Sequence, residues 1–305
     1  MSKVIVATKM TIAPTVISDR WEILFKTLKE KFGFSFCSIE EIESLPKDVD
    51  TVLLCVSPKQ INSDQLLNAI RQNKGVRLIT YIVDLHTQGS RFGNLLEGSD
   101  VILSIDDESF RKKWPQFVKK FVFFPMFFSS HARYIKFTLN EKPIMKCLLA
   151  GATTSYYPLR LQLNRAAREG KYSKLLDVLL YRGTHGALYP GVVTKDAFAE
   201  RLHSYFCVVT SSVYQCVVSK IFEIPATGSL LLTNRVKDMD TLGFVPFKHY
   251  IPINADDVLQ MVQTVLANPD EYQEIRKIGM EFVRAKHSIN NRIEMFGQIL
   301  KGDKL

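Results

Sequence analysis

The chain has 305 residues, 46% of them hydrophobic and 23% charged, with a formal net charge of +9. At roughly 100–200 residues per domain, this length predicts two domains, and the ordinary charged fraction excludes a wholly disordered chain. The positive charge favours anionic partners such as nucleotide phosphates, nucleic acid or an acidic membrane surface. The charge is spread along the sequence, with Arg111–Lys113 and Lys119-Lys120 as its densest runs, and solvated helix faces account for runs of this length.

The five cysteines show neither a CxxC pair nor the spacing of a metal site. An odd number without a disulfide pattern is typical of a reducing compartment. The first residues, Met-Ser-Lys-Val-Ile-Val, lack the apolar core of a signal peptide. No apolar run approaches the roughly 18–20 residues that a membrane helix needs. Together these features predict a cytoplasmic protein.

Strand-like and helix-like segments alternate through the first half of the chain. The pattern predicts strands at Val4–Ala7, Thr51–Val56, Arg77–Val83 and Val101–Ser104, and helices at Asp19–Lys31 and Asp64–Arg71. Thr51–Val56 is apolar throughout, as in a strand that is buried on both faces. Alternation of this kind predicts βαβ units and a parallel sheet covered by helices.

A second series follows Phe128, after a polar stretch at Ser129–Pro143 that we interpret as a linker. It predicts strands Ile144–Ala150, Lys174–Leu180, Phe206–Thr210 and Ser229–Thr233, and helices Leu159–Ala167, Asp256–Ala267 and Glu271–Ala285. We therefore predict an α/β fold of two αβα Rossmann-like domains that face each other across a cleft. The predicted bounds are 1–135 for the N-terminal, acceptor-side domain, 143–286 for the C-terminal, donor-side domain and 287–305 for a C-terminal helix able to pack back on the first. In such sheets, ligands bind beyond the carboxyl ends of the strands.

The segment from Ser219 to Thr233 is the most informative one chemically. A short helix carries Lys220 and Glu223 three residues apart, hence on one face, and Pro225 closes it before an apolar strand. A carboxylate can accept two hydrogen bonds from a ribose diol, and a lysine at this distance can reach a diphosphate. The alternative is an exposed helical ion pair worth about 0–1 kcal/mol, and local chemistry alone favours that alternative.

This segment resembles the donor-binding helix of GT-B glycosyltransferases of the group 1 or CgeB-like (spore-maturation-type) branch, with Lys or Arg, two residues, Glu, then Ala and Gly before an apolar strand. Further matches follow in the family's order at Gly151, Tyr157–Arg160, Tyr189–Gly191, Leu242–Phe244 and His287-Ser288. The resemblance covers about Ile144–Leu300 well and the first half loosely. It implies the GT-B fold and transfer of a glycosyl group from a UDP- or GDP-sugar to a hydroxyl of a glycan or other acceptor.

The resemblance also implies a set of donor-binding residues in the second half. These are Glu223, Lys220, Gly228, Ser229, Gly151, Arg160, Arg182 and Gln215. Glu223 would hold the ribose, while Lys220 and the backbone near Gly228 would meet the diphosphate, since a glycine turn offers oriented N–H groups. Many retaining relatives have a second glutamate where this chain has Gln215. An amide keeps the hydrogen bonds to a sugar but removes the charge, so the stereochemistry of transfer stays open.

Asp84-Leu85-His86 directly follows a predicted strand, where an αβα sheet presents its functional loops. His86 could be the general base on the acceptor hydroxyl, because the ordinary pKa of histidine suits proton transfer near neutrality, or it could hydrogen-bond the transferred sugar. Asp84 could itself be the base, or could orient His86. A capping aspartate beside an exposed loop histidine is the alternative. His185 is a weaker candidate, and His249 and His287 are interpreted as structural.

Asp238-Met239-Asp240 has the DxD spacing of metal-dependent sugar transferases, but it lies in a charged stretch and is interpreted as a solvated turn. In the GT-B reading, basic side chains and helix dipoles neutralise the leaving diphosphate. We therefore expect no metal, and no cofactor besides the nucleotide sugar that serves as co-substrate. The chain lacks GxGxxG after its first strand, GxxxxGK[ST] and GxSxG, which disfavours dinucleotide oxidoreductases, P-loop NTPases and α/β-hydrolases.

Two other classes of function remain open. A GT-B-type sugar epimerase or phosphorylase would share the architecture, because function belongs to sites and not to folds. A non-enzymatic basic module for nucleic acid or membrane would need clustered basic residues interleaved with exposed aromatics. Most of the 20 phenylalanines lie inside apolar runs, so we expect no nucleic-acid partner. Peripheral contact with a membrane, the acceptor and the oligomeric state stay open.

Overall fold

The computed structural model describes residues 4–8, 20–37, 41–42, 46–56, 63–72, 75–82, 93–128, 131–170, 172–179, 192–213 and 216–302. They form two compact units, each built around one parallel sheet. The first unit comprises the first strand together with Glu22–Pro125 and Met295–Leu305, and the second comprises Met126–Glu294 with the short stretch that ends at Trp21. Within the described ranges, no helix has both the length and the apolar character that crossing a bilayer requires.

The sheet of the first unit has six strands. These are β1 (Val4–Thr8), β2 (Ser35–Cys37), β3 (Thr51–Val56), β4 (Arg77–Ile82), β5 (Val101–Ser104) and β6 (Phe121–Phe123). Their order is β2-β1-β3-β4-β5-β6, and all of these pairings are parallel. The four strands that the apolar runs predict are present. The three-residue strands β2 and β6 lie at the two edges and are too short for a pattern to reveal.

Helices cover this sheet, as the alternating pattern predicts. They are α1 (Arg20–Phe32), α2 (Ser63–Gln72), α3 (Gly93–Gly98) and α4 (Asp107–Lys113), followed by a 3-10 helix at Pro115–Lys120. Asp106 caps α4 by accepting a hydrogen bond from the backbone N–H of Ser109 at 3.0 Å. The last turns of the chain's final helix belong to this unit: Phe296 packs edge-on against Phe34 at 5.8 Å, and Arg77 donates to the carbonyl of Leu300 at 2.9 Å.

The sheet of the second unit has five strands. These are β7 (Ile144–Leu149), β8 (Leu176–Val178), β9 (Tyr205–Val209), β10 (Leu230–Thr233) and β11 (Ile251–Pro252), in the order β11-β10-β9-β7-β8 with parallel pairing throughout. Its helices are α5 (His131–Ile135), α6 (Pro158–Ala166), α7 (Lys195–His203), α8 (Lys220–Ala226), α9 (Lys237–Thr241), α10 (Val258–Ala267), α11 (Pro269–Lys286) and α12 (Ile289–Lys301). The last of these runs from the second unit into the first.

Two buried clusters lie on the two faces of this second sheet. Along β9, Val208 belongs to the cluster that includes Phe222 of α8, while Val209 belongs to the cluster that includes Leu163 of α6 and Val262 of α10. Successive side chains of a strand point to opposite faces, so the sheet lies between helical layers. The predicted α/β class with two Rossmann-like domains is confirmed.

The strand order defines where a ligand should bind in each unit. From β7 the chain passes to β8 on one side, and then places β9, β10 and β11 on the other side. The order changes direction in the same way around β1 and β3 of the first unit. Ligands of such sheets bind beyond the carboxyl ends of the strands at this switch point. In the second unit, that place is the crevice beyond β7 and β9.

The predicted linker Ser129–Pro143 is wrong in part, because it contains α5. Tyr134 of that helix is 1% exposed and packs edge-on against Phe128 at 5.4 Å. α5 lies against α7 and α8, so the change between units falls at Pro125-Met126 and not at the predicted bounds of 135 and 143. The buried Tyr134 and an ion pair of Arg133 with Asp196 of α7 at 3.1 Å hold α5 in place, and the polar sequence around them gives no sign of this.

Candidate functional site

The helix α8 places the two side chains that the sequence singles out. Its first turn forms when the Glu223 N–H donates to the carbonyl of Ser219 at 2.9 Å. Ile221, Phe222 and Ile224 are fully buried against the sheet, which fixes the helix on the core. Lys220 is half-buried one turn before Glu223. The predicted pairing of the two residues on one short helix is therefore present.

Glu223 is one of the buried charged residues described in the second unit. Its side chain is only 4% exposed, and its carboxylate makes no hydrogen bond or ion pair with any residue of the described ranges. Taking a carboxylate out of water without a partner is costly. A ligand that donates hydrogen bonds at this point would remove that cost. The burial of Glu223 excludes the alternative of an exposed surface ion pair.

Two arginines of α11 hold the carboxyl end of α8. Arg284 donates to the carbonyl of Ala226 from Nε at 3.0 Å and from Nη2 at 2.8 Å, and Arg276 Nε donates to the carbonyl of Gly228 at 3.1 Å. Burial lowers the pKa of both guanidinium groups, that of Arg276 to about 10, so Arg276 stays charged at neutral pH. Cations at this end complement the helix dipole and satisfy its last carbonyls.

Gly228 and Ser229 lie at the wrong edge of the sheet for the contact predicted from the sequence. They precede β10, so they are at its amino end, opposite the switch point. The Ser229 hydroxyl lies 2.6 Å from the carbonyl oxygen of Leu202 and 3.0 Å from that of Tyr205. A Cβ at Gly228, where φ is +82°, would lie 3.3 Å from Met280 Sδ. Both residues serve packing here, and we remove them from the diphosphate-binding set.

Gly151 and Arg160 come together beyond the carboxyl end of β7. Gly151 has a φ of +122°, which side-chain-bearing residues rarely adopt. A Cβ at this position would collide with the guanidinium of Arg160. Arg160, on α6, is 5% exposed, and its Cζ lies 3.5 Å from the ring centre of Tyr157. A glycine that admits a cation against its backbone suits an anion-binding crevice.

The carboxyl end of β9 contributes residues that the sequence reasoning missed. Asn234, just beyond β10, accepts from the Ser212 N–H at 2.8 Å and donates to the Ser212 carbonyl at 2.8 Å. The neighbouring hydroxyls of Thr210 and Ser211 are buried and find no hydrogen-bond partner among the described residues. The available signal was Thr210-Ser211-Ser212 itself, three hydroxyl residues in a row directly after an apolar strand.

Several predicted residues lie outside the described ranges. They are Asp84, His86, Arg182, His185 and Gln215. The general base and two of the donor-binding residues therefore stay predictions.

The DxD motif lies on the short helix α9, and the predicted solvated turn is wrong for Asp238, which is buried. Asp240 forms an ion pair with Arg235 at 2.8 Å, whereas Asp238 is 1% exposed. The two carboxylates lie on α9, where residues two apart point in different directions. Throughout the described part of the chain, no group of three or more His, Cys, Asp or Glu side chains could hold a metal ion.

His249 and His287 lie in an aromatic cluster with Phe244 and Phe282. Burial, and then the charge of Arg292, lowers the pKa of His287 to about 3, and burial also lowers the pKa of His249. Their rings stack on Phe244 at 5.4 Å and on Phe282 at 4.0 Å, respectively. Both imidazoles are therefore neutral at pH 7 and act in packing, as the sequence predicts.

We expect His287 to make the fold sensitive to acid. Because its folded pKa lies below its ordinary value of 6.5, the unfolded chain binds more protons between these two values, and stability falls as the pH is lowered through 6.5. Lowering the pH from 7.5 to 5.5 should cost about 1.4 kcal/mol through this group alone. Urea unfolding of the wild type and of His287→Gln should show a flatter pH dependence in the variant. Equal pH slopes would contradict the assignment.

Comparison with known proteins adds the following. Residues 179–298 match a family model described as "Glycosyl transferase-like", and this segment contains α8. No curated protein sequence matches the chain. Anabaena HepE in complex with UDP is 8% identical, with a TM-score of 0.66 over 99% of this chain and 100% of that one. The same protein with UDP-glucose gives a TM-score of 0.63 at 8% identity, over 99% and 100%.

A glycosyltransferase from Rickettsia africae is also similar, at 10% identity and a TM-score of 0.65 over 99% of this chain and 98% of that one. Identities this low show likeness of fold. The predicted GT-B type of fold is thus confirmed, whereas the CgeB-like branch stays a prediction.

Proposed function

We propose that this chain is a glycosyltransferase that takes a sugar from a nucleotide-diphosphate donor, a UDP- or GDP-sugar, and transfers it to a hydroxyl of a glycan or other acceptor. The observation that carries the proposal is Glu223, a buried carboxylate without a partner in the described ranges, within a segment that matches a glycosyl transferase-like model. Structures of the same fold contain UDP and UDP-glucose, which supports a uridine donor as the first to test.

The donor chemistry follows from the groups near the switch point. A ribose has two adjacent hydroxyls, and both can donate to the two oxygens of Glu223. Lys220 offers a positive charge one turn earlier on α8, and Arg160 offers another beyond β7. Cations and oriented N–H groups can stabilise the charge that develops on the leaving diphosphate. The proposal therefore needs neither a metal nor a further cofactor.

The acceptor side of the proposal rests on Asp84 and His86, which follow β4 in the sequence and lie outside the described residues. His86, or Asp84, takes the proton of the acceptor hydroxyl as its oxygen bonds to the anomeric carbon. The bond between that carbon and the diphosphate oxygen breaks, and the nucleoside diphosphate leaves. Gln215 remains in the proposed donor set as a neutral hydrogen-bonding group for the sugar, and Arg182 remains as a further cation.

A donor screen tests the proposal. The protein is incubated with UDP-, GDP-, ADP- and dTDP-sugars, and the release of nucleoside diphosphate is measured with and without EDTA. We expect slow hydrolysis within the UDP or GDP series, unaffected by EDTA. The matching nucleoside diphosphate should also stabilise the fold, by about 2.7 kcal/mol at a hundredfold excess over its Kd.

Each alternative predicts a different result in the same screen. Isomerised nucleotide sugar without release of diphosphate would indicate an epimerase, and release that depends on phosphate would indicate a phosphorylase. Stabilisation by oligonucleotides instead of nucleoside diphosphates would favour a basic binding module. Loss of hydrolysis in EDTA would contradict the metal-independent mechanism. Once an acceptor is known, full transfer in both His86→Ala and Asp84→Ala would remove the proposed base.

A further inference from the structure

Two adjacent hydroxyls at the end of β9 make no hydrogen bond to any of the described residues. Thr210 is 0% exposed and Ser211 is 3% exposed, and neither hydroxyl has a partner among the described residues. The other buried serines and threonines of this unit in the described ranges all have one: Ser212, Thr227, Ser229, Thr233 and Ser288. Leaving a buried hydroxyl unpaired is costly, so two in succession indicate a partner that the described residues do not supply.

The backbone around these hydroxyls is fixed on both sides. The Thr210 N–H donates to the carbonyl of Leu232 at 3.1 Å, which extends the pairing of β9 with β10 by one residue. Ser212 is held through both its N–H and its carbonyl by Asn234. The backbone that carries the two hydroxyls is therefore held in place before a ligand arrives. Groups held in place before a ligand arrives bind it at a lower entropic cost.

The two side chains continue the alternation of β9 into the crevice. Val208 lies on the face covered by α8, and Val209 on the face covered by α6. Period-two alternation then places Thr210 on the face of α8, which carries Glu223, and Ser211 on the face of α6, which carries Arg160. The Ala150 N–H donates to the Val209 carbonyl at 2.9 Å, so this level adjoins the end of β7.

We infer that Thr210 and Ser211 are donor-binding residues whose hydroxyls donate hydrogen bonds to the diphosphate of the nucleotide sugar. The inference rests on the proposed function and adds to it. The non-bridging oxygens of a diphosphate only accept hydrogen bonds, so two fixed O–H donors match them, and Arg160 supplies charge beyond β7. Bonds of this kind gain strength where water is excluded.

Two substitutions that remove only the hydroxyls test the inference. Thr210→Val keeps the shape of the side chain, Ser211→Ala shortens it by one atom, and Ser229→Ala is the matched control, since that hydroxyl contacts two carbonyl oxygens. Urea unfolding without nucleotide and calorimetric titration with UDP and GDP are measured on the full chain. The first two variants should be at least as stable as the wild type yet bind about tenfold more weakly. Ser229→Ala should lose stability and keep its affinity.

The possible outcomes distinguish a failure of this inference from a failure of the proposed function. Unchanged UDP and GDP affinity in both variants, with a wild type that binds, would overturn the inference and leave the proposed function standing. A loss of stability equal to that of Ser229→Ala would overturn it too, because the hydroxyls would then be paired within the protein. Weaker binding of uridine, which has no phosphate, would overturn the assignment to the diphosphate. If the wild type binds no nucleoside diphosphate, both this inference and the proposed function are wrong.

Discussion

Glu223→Gln should weaken the binding of UDP or GDP by a factor of about 10–100, without reducing the stability of the free protein. Hydrogen bonds to a charged group contribute roughly 1.5–3 kcal/mol, and an amide of the same shape can keep only a part of this. Stability should hold or rise because the wild type buries a carboxylate that has no partner in the described ranges. Calorimetric titration and urea unfolding measure the two quantities.

The control for this change is Glu200→Gln on α7. Glu200 pairs with Lys136 at 3.2 Å, with 60% of its side chain exposed, and exposed pairs contribute little. Nucleotide affinity should stay as in the wild type. A 2′,3′-dideoxy nucleotide sharpens the test, because it lacks the diol that Glu223 is proposed to hold. The loss caused by Glu223→Gln should largely vanish with that ligand. Wild-type affinity of Glu223→Gln for the ordinary nucleotide would end the assignment.

Arg284→Met should lower the free energy of unfolding by about 3–5 kcal/mol. The guanidinium donates to the carbonyls of Tyr134 at 2.7 Å and Phe137 at 2.8 Å, and twice to that of Ala226. Methionine fills similar space but leaves three buried carbonyls without this donor, including the last turn of α8. Urea unfolding is the measurement, with nucleotide affinity as a second readout, because α8 carries Glu223.

Lys277→Met, an exposed position on the same helix, should change stability by no more than about 0.5 kcal/mol. Arg284→Lys should recover only part of the loss, since an ammonium group cannot reproduce the planar fork of a guanidinium. If Arg284→Met unfolds at the same urea concentration as the wild type, the carbonyls have other donors, and α8 is not held from this side.

The sequence predicts the central strands well because most of their residues are buried and apolar. Val52–Cys55 of β3 and Cys147–Leu149 of β7 are buried, and such apolar runs are visible before the pairing of the strands is known. The three-residue strands β2 and β6 offer no such run, so only their pairing defines them. α5 shows a different limit. Its five residues are too few to show a helical period. The contact of Tyr134 with Phe128 helps to hold the helix, and helix propensities do not reveal a contact of this kind.

The residues of the candidate site also fall into two groups, those that the sequence predicts and those that it does not. The resemblance finds Glu223, Lys220, Gly151 and Arg160 from their order along the chain. It misplaces Gly228 and Ser229 because sequence order alone does not tell which edge of the sheet a turn occupies. Thr210-Ser211-Ser212 escapes notice because three small polar residues look like any turn. Only the strand order shows that they end the strand beside the switch point.

The last turns of α12 have a consequence for synthesis. A ribosome makes the chain from its amino end, and domains generally fold as units in that order. Here the first unit cannot gain its contacts with Phe296 and Leu300 until nearly three hundred residues have been translated. Most of the second unit lies in the segment Met126–Glu294, which ends earlier, so this unit can complete its core sooner. The first unit, which is encoded first, is thus completed last. In nascent chains, the second unit should become resistant to protease before the first unit does.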